Sequence, residues 1–145
     1  MGKHKSVNYL LCGEDDFSIH EAISSLKNQL GDSSTQDANI TELDGSKTSF
    51  DQLSATCNTL PFLSEKRLVI VHGLLTLFEG ATGSRNRNRV PRVKLSGLSQ
   101  WKQLAEYLPI VPKTTDLVFI DSRLSSSNKL LSSIRPRVTM RIFPT

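Results

Sequence analysis

The chain has 145 residues, of which 37% are hydrophobic, and its formal net charge is +4. This size and composition fit one globular domain with a core of its own, and no apolar run approaches the ~20 residues of a membrane-spanning helix. The basic start MGKHKSV is followed by an apolar stretch that soon meets acidic residues, which is not the pattern of a signal peptide. Cys12 and Cys57 lie in apolar patterns, which predicts reduced core side chains in a cytoplasmic protein.

The first predicted strand is followed directly by a helix. Residues 7–12 (VNYLLC) form a short apolar run that predicts a buried strand, and Gly13 turns the chain after it. Asp15 or Asp16 can cap the helix, and Gly31 is a natural C-terminal stop. Spacings of four, three and four residues define its apolar face: Ile19, Ile23, Leu26 and Leu30.

A second strand and a second helix follow. Residues 38–43 (ANITEL) alternate in the manner of a strand close to a sheet edge. Ser49 predicts a helix N-cap, with Gln52 three residues on as in a capping box. The apolar face of this helix is Phe50, Leu53, Cys57 and Leu60. Residues 67–71 (RLVIV) then predict a third, buried strand.

The second half of the chain continues the alternation. A third major helix is marked by Leu98, Trp101, Leu104 and Leu108 and closed by Pro109. The remaining elements are a strand, a short helix stopped by Pro136, and a last strand: residues 116–120 (DLVFI), 125–134 and 137–143 (RVTMRIF). Near-continuous apolar strands alternating with helices predict an α/β fold, a mostly parallel sheet covered on both faces. Because the sequence stops straight after the fifth strand, we expect residues 1–145 to be one domain of a longer protein.

The loop after the first strand argues against a nucleotide site. Open parallel sheets bind ligands beyond the carboxyl ends of their strands, and a phosphate-binding loop there would contain a second glycine and a lysine. This loop instead reads GEDDFSIHE, whose three consecutive acids would repel phosphates. Asp121, after the apolar run LVFI, resembles a magnesium ligand of ATPases, but without that loop it is better explained as a cap or turn residue.

Other catalytic assignments each lack an essential part. A phospho-accepting receiver domain needs an aspartate at the end of the third strand, where this chain has His72 and Gly73. His72 as a catalytic base has no partner that the sequence identifies. The histidines have no metal-ligand spacing with the cysteines. We therefore expect no catalytic residues, no cofactor and no metal, and a binding or assembly module.

The positive charge is concentrated in one segment, residues 80–97. Five basic side chains lie there without an acid: Arg85, Arg87, Arg89, Arg92 and Lys94. Without those five charges the formal net charge of +4 becomes −1. Such a segment can contact nucleic-acid phosphates, but its Gly, Ser, Asn and Arg composition, with no interleaved aromatic residue, favours a flexible, solvated insertion.

The order of these stretches resembles a known family. YLLCGEDDF, ITELDG, TLPFLSEKRLVIV and PKTTDLVFID, with a short Ser-Asn-Lys helix after the last, look like the N-terminal domain of the delta subunit of bacterial DNA polymerase III. The resemblance runs from about Val7 to Phe143. The arginine-rich insertion is not part of the family pattern.

The resemblance implies a fold and a role. The fold is AAA+-like, with five strands in the order 5-1-4-3-2, three layers and a nucleotide site that has been lost. The role is that of the clamp-loader subunit that binds and opens the sliding clamp (the beta subunit) during DNA replication, as part of the polymerase holoenzyme but without activity of its own. The implied setting is the bacterial cytoplasm, at the nucleoid and not in a membrane. Helical and collar domains would follow and contact the gamma/tau and delta prime subunits, and primed DNA would be met indirectly.

The resemblance also implies a site at the tip before the third strand. The family's clamp-gripping element maps to Pro61, Phe62 and Leu63, with Leu60 behind them. The alternative from the pattern alone is that Phe62 folds back onto the sheet as a core side chain. A second alternative for function is a nucleic-acid-binding domain that acts through the arginine-rich insertion.

Overall fold

The structure, a computed structural model, describes residues 8–30, 33–79 and 101–143. Within these ranges one sheet contains five strands: β1 (Asn8–Gly13), β2 (Ile40–Asp44), β3 (Arg67–His72), β4 (Thr115–Asp121) and β5 (Thr139–Phe143). Their order across the sheet is β2-β3-β4-β1-β5, and each neighbouring pair is parallel. The predicted strand order is confirmed, and so is the edge position of β2.

Successive side chains of the central strands enter two different cores, as the period of two in a strand requires. In β3, Val69 and Val71 pack on one face of the sheet, whereas Leu68 and Ile70 pack on the other. Helices cover both faces. The helix α1 (Asp16–Asn28) packs on the second face through Ile19 and Ile23.

The first face carries the larger core. It is covered by α3 (Phe50–Cys57), α4 (Leu104–Tyr107) and α5 (Lys129–Ile134). The ring of Phe50 meets Trp101 and Tyr107 edge-to-face, at centroid distances of 6.0 and 5.6 Å. Such pairs add to the stability gained from burial alone. The result is the predicted arrangement of three layers, with the sheet in the middle.

Both predicted caps of the early helices are confirmed. Asp15 caps α1, since its Oδ1 accepts the N–H of Ser18 at 3.1 Å. Ser49 caps α3 by accepting the N–H of Gln52 at 3.0 Å. Cys12 and Cys57 are buried free thiols, as predicted.

One helix was not predicted, and it shortens the predicted strand 38–43. The helix α2 (Ser33–Asn39) includes the first two residues of that prediction, so β2 begins only at Ile40. Its sequence, SSTQDAN, has no apolar periodicity, so the pattern that signals a helix is missing. Gly31, the predicted stop of α1, lies outside the described residues, and the C-cap of α1 is Gln29.

The prediction that Leu60 belongs to the apolar face of α3 is wrong. The helix ends at Cys57, and Leu60 is 75% exposed. The third major helix is not continuous where it is described: residues 102–103 form a turn between Trp101 and α4, and a 3-10 turn, Leu108–Ile110, follows α4 and contains Pro109. Leu98 lies outside the described residues.

The last helix and strand begin later than predicted. α5 starts at Lys129 because Asn128 is its N-cap, with Oδ1 accepting the N–H of Leu131 at 3.0 Å. A 3-10 turn, Arg135–Arg137, holds Pro136 and delays β5 to Thr139. Among the helices described, none has both the length and the apolar composition of a membrane span.

Candidate functional site

The carboxyl ends of the strands border a crevice of about 420 Å³. This is the place where open parallel sheets bind ligands. Its polar lining includes Asp16, Asp44, His72 and Asp121, and no lysine or arginine is among the described residues that line it. The crevice therefore presents carboxylates where a nucleotide would bring phosphates.

The loop after β1 is closed by the backbone of β5. The carbonyl oxygen of Phe143 accepts the N–H groups of Glu14 and Asp15, each at 3.0 Å. Gly13 has a φ of +132°, and a Cβ at this position would lie 2.3 Å from the same oxygen. The glycine is thus required by the close approach of β5, and two N–H groups of the kind that hold phosphates already have a partner within the chain.

Asp121 caps a helix, as the sequence suggested, but the helix is not the next one in the chain: it follows β3, the strand beside β4. The carboxylate accepts the N–H of Leu75 at 3.3 Å and the N–H and hydroxyl of Thr76 at 2.9 and 2.8 Å. These groups begin the 3-10 helix Leu75–Phe78. Burial raises the pKa of Asp121 to about 6, and the hydrogen bonds from Thr76 and Leu75 oppose that rise. The side chain has a structural role in this arrangement.

His72 has a carboxylate partner that the sequence did not reveal. Its Nε2 lies 2.8 Å from Oε1 of Glu42, on the neighbouring strand, and Lys27 approaches the other oxygen of Glu42 at 3.5 Å. The hydrogen bond with His72 is the main reason that the pKa of Glu42 is lowered. The pair is about half exposed. In the part of the chain described, no group of His, Cys, Asp or Glu side chains is arranged to hold a metal ion.

The opposite end of the sheet carries an apolar tip, residues 60–63, between α3 and β3. The exposed fractions are 75% for Leu60, 61% for Phe62 and 81% for Leu63. Neither core cluster includes Phe62, so the alternative that it folds back onto the sheet is wrong. Isolated exposed apolar residues are common on protein surfaces, but a contiguous group indicates an interaction site.

The backbone of the tip is held by a residue that the sequence analysis missed. Asn39, which is fully buried, donates from Nδ2 to the carbonyl of Phe62 at 2.6 Å and accepts the N–H of Phe62 at Oδ1 at 2.5 Å. The next residue, Leu63, has a φ of +54°. This left-handed conformation costs a non-glycine residue about 1–2 kcal/mol, so the tip has a defined, mildly strained shape.

Further contacts fix both stems of the tip. On the α3 side, Thr115 donates its hydroxyl to the carbonyl of Cys57 at 2.6 Å, and the Tyr107 hydroxyl donates to Oδ1 of Asn58 at 2.9 Å. On the β3 side, Nζ of Lys66 lies 3.2 Å from Oδ1 of Asp116. The tip therefore projects from a well-anchored loop.

The second set of predicted site residues belongs to the arginine-rich insertion. Arg85, Arg87, Arg89, Arg92 and Lys94, together with the whole insertion 80–97, lie outside the described residues. The sequence signal for Asn39 was weak, since its partner Phe62 is 23 positions away. The signal for Phe143 was equally weak because its contact with the first loop depends on strand order.

The sheet order and the helices on both of its faces define a three-layer α/β domain of the AAA+-like type. A profile of the family described as DNA polymerase III, delta subunit, matches residues 9–140. The chain belongs to this family. It is also 30% identical over 82 residues to the DNA polymerase III subunit delta of Bacillus subtilis (strain 168), which is 57% of this chain and 22% of that protein.

Two solved structures share the fold. The Bacillus subtilis DNA clamp loader delta protein superposes with a TM-score of 0.71 at 24% identity, over 97% of this chain and 39% of that one. A DNA polymerase III gamma subunit-related protein from Thermotoga maritima gives 0.60 at 17% identity, over 97% and 42%. The chain thus spans less than half the length of these relatives. The predicted AAA+-like fold is confirmed.

Proposed function

We propose that this domain binds the sliding clamp in the manner of a clamp-loader delta subunit, and that residues 60–63 are the gripping element. The observation that carries the proposal is the exposure of Phe62 and Leu63, at 61% and 81%, in a loop whose backbone is held in place. Membership of the delta family supports the choice of the clamp as the partner.

The chemistry of the tip suits an apolar pocket. Burying Phe62 and Leu63 in a partner contributes roughly 1.5–3 kcal/mol each before ordering costs. Pro61 fixes its own φ and so lowers the cost of ordering the tip. Leu60 extends the apolar surface on the α3 side. A few residues of this kind commonly dominate an interface.

The carboxyl-end crevice supports a role without ATP hydrolysis. The backbone of Phe143 takes the N–H groups of Glu14 and Asp15, and Asp121 is engaged by Thr76. A nucleotide would have to displace these contacts and meet the carboxylates that line the crevice. ATP hydrolysis would then come from other clamp-loader subunits, which we expect to meet this protein mainly through domains that follow this one.

The proposal is tested by titrating the protein with the sliding clamp of the same organism, with and without ATP and magnesium, at low and moderate salt. We expect the same affinity with and without nucleotide and a weak dependence on salt, because apolar burial is little affected by screening. No heat of ATP binding should appear in a calorimetric titration of the protein alone.

Two results would contradict the proposal. Absence of clamp binding at micromolar concentrations would remove the clamp as the partner. Binding that requires ATP would show that the crevice is a working nucleotide site. The nucleic-acid alternative predicts instead an affinity for primed DNA that falls steeply with salt, and replacing the four arginines of the insertion would test it separately.

A further inference from the structure

We infer that Asn39 is the positioning residue of the tip: its side chain sets the conformation in which Phe62 and Leu63 are presented to the partner. This inference rests on the proposed function, because it names what prepares that site for binding. Asn39 itself does not reach the surface, since it is fully buried. Its effect on binding is therefore indirect, and its hydrogen bonds with the backbone of Phe62 carry that effect to the tip.

The side chain of Asn39 makes two hydrogen bonds to the backbone of one residue. One amide supplies a donor and an acceptor, and both are used on the same residue, Phe62, at 2.6 and 2.5 Å. A pair of hydrogen bonds to the N–H and C=O of one residue fixes that residue in the way that a neighbouring strand would. The side chain of Phe62 is left free, at 61% exposure, to enter a pocket.

The position of Asn39 in the chain ties these hydrogen bonds to the sheet. Asn39 is the last residue of α2, and Ile40 is the first of β2, which pairs with β3 from Ile40 opposite Leu68 onward. The hydrogen bonds of Asn39 thus join the tip to the start of β2, the strand that borders β3. Leu63, directly after Phe62, keeps its φ of +54°, a conformation that a free loop would leave.

Holding the tip in its binding conformation lowers the entropy that binding must remove. Immobilising side chains and loop residues at an interface weakens binding, and preorganisation removes that cost. Without Asn39, both polar groups of the Phe62 backbone can turn to water, because Phe62 is exposed. The loop would then adopt many conformations, and only some would fit the pocket. We expect Asn39→Ala to weaken clamp binding about tenfold, chiefly through slower productive association.

Asn128 provides a matched control. It is also a buried asparagine, 1% exposed, and it also bonds the backbone in both directions, donating to Leu75 at 2.9 Å and accepting from Leu131 at 3.0 Å. It caps α5 and bonds the 3-10 helix that follows β3, at the carboxyl end of the sheet. Asn128→Ala should lower the free energy of unfolding at least as much as Asn39→Ala, yet leave clamp affinity unchanged.

The experiment combines amide hydrogen exchange with clamp-binding kinetics for the parent protein, Asn39→Ala, Asn128→Ala and the tip variant Phe62→Ala/Leu63→Ala. In the parent, the amide of Phe62 should be protected although its side chain is exposed. Asn39→Ala should lose that protection and bind the clamp about tenfold more weakly. Asn39→Ala added to the tip variant should produce no further loss, because nothing remains to be positioned.

The outcomes separate this inference from the proposed function. If the tip variant loses binding but Asn39→Ala binds as the parent does, or Asn128→Ala weakens binding equally, the positioning role is wrong and the proposed function stands. If the tip variant itself binds as tightly as the parent, both fail. Should Asn39→Ala not fold, Asn39→Asp keeps the acceptor and the volume but removes the donor to Phe62, and the same comparisons apply to it.

Discussion

The two ends of the sheet differ in what their internal hydrogen bonds do: at one end they close a loop, and at the other they support an exposed apolar tip. At the carboxyl end, where parallel sheets usually bind ligands, the polar groups are bonded within the chain: Phe143 closes the first loop and Asp121 caps a 3-10 helix. At the amino end, the polar groups of the Phe62 backbone are bonded by Asn39, while the apolar side chains of the tip face solvent.

In the proposed function, the domain binds its partner at the amino end of the sheet and binds no nucleotide at the carboxyl end. Closing the first loop needs only a glycine and the carbonyl of an adjacent strand. Presenting an apolar tip needs support beneath it, which α2 and β4 supply through Asn39 and Thr115. The carboxyl end should therefore respond to mutation in stability, and the amino end in partner binding.

The largest effect should come from Gly13→Ala. The new Cβ would lie 2.3 Å from the carbonyl oxygen of Phe143 at a φ of +132°, so β5 must move away from β1. We expect a loss of about 4 kcal/mol or more in the free energy of unfolding by urea. Gly73→Ala is the control: its φ is +74° but no atom lies within 4 Å of the added Cβ, so only about 1–2 kcal/mol should be lost. Equal effects of the two would refute the steric closure.

Alanine substitutions of one leucine in β3 and one in the tip should differ in their effect on the free energy of unfolding. Leu68 is 2% exposed, whereas Leu63 is 81% exposed. We expect Leu68→Ala to cost about 3 kcal/mol in the free energy of unfolding, and Leu63→Ala to change it by less than about 0.5 kcal/mol. Chemical denaturation measures both. A large loss for Leu63→Ala would mean that the tip is part of the core.

The raised pKa of Asp121 should make the free energy of unfolding depend on pH. Its pKa is raised from 3.8 to about 6 in the folded protein, so folding favours the protonated form. This contribution is fully present below pH 3.8 and is lost as the pH rises through about 6. The loss amounts to at most about 3 kcal/mol. Asp121→Asn cannot ionise, so its unfolding free energy should lack this decline. Parallel pH curves for parent and variant would contradict the raised pKa.

The smallest effect should come from the half-exposed pair of Glu42 and His72. The pKa of Glu42 is lowered mainly by the hydrogen bond with His72, so its contribution is present above the ordinary pKa of 4.5 and is lost as the pH falls through the lowered value. We expect Glu42→Gln to change the unfolding free energy by less than about 0.5 kcal/mol at neutral pH. An effect on clamp binding would mean that the carboxyl end takes part in the contact.

Local sequence patterns were enough to predict the strands and the two early caps. The strands are apolar runs whose period is visible in the sequence, and the caps Asp15 and Ser49 bond residues only three positions away. The helix α2 was missed because its polar sequence carries no apolar face. Leu60 was misplaced because the helical spacing continues past the point where α3 ends at Cys57.

The contacts that shape the two ends of the sheet could not be derived from local pattern. Asn39 meets Phe62 only because β2 lies beside β3, and Phe143 meets Gly13 only because β5 lies beside β1. These contacts depend on strand order and register. The position of the tip itself came from the family resemblance, since an apolar Pro-Phe-Leu sequence next to a strand is equally typical of a core.

The central claim is tested most directly by Phe62→Ala, measured for clamp dissociation and for thermal unfolding in the same preparation. Phe62 is 61% exposed, so the melting temperature should hardly change, while the clamp should dissociate on the order of tenfold to a hundredfold faster. Clamp binding as tight as that of the parent, or a melting temperature far below it, would contradict the account.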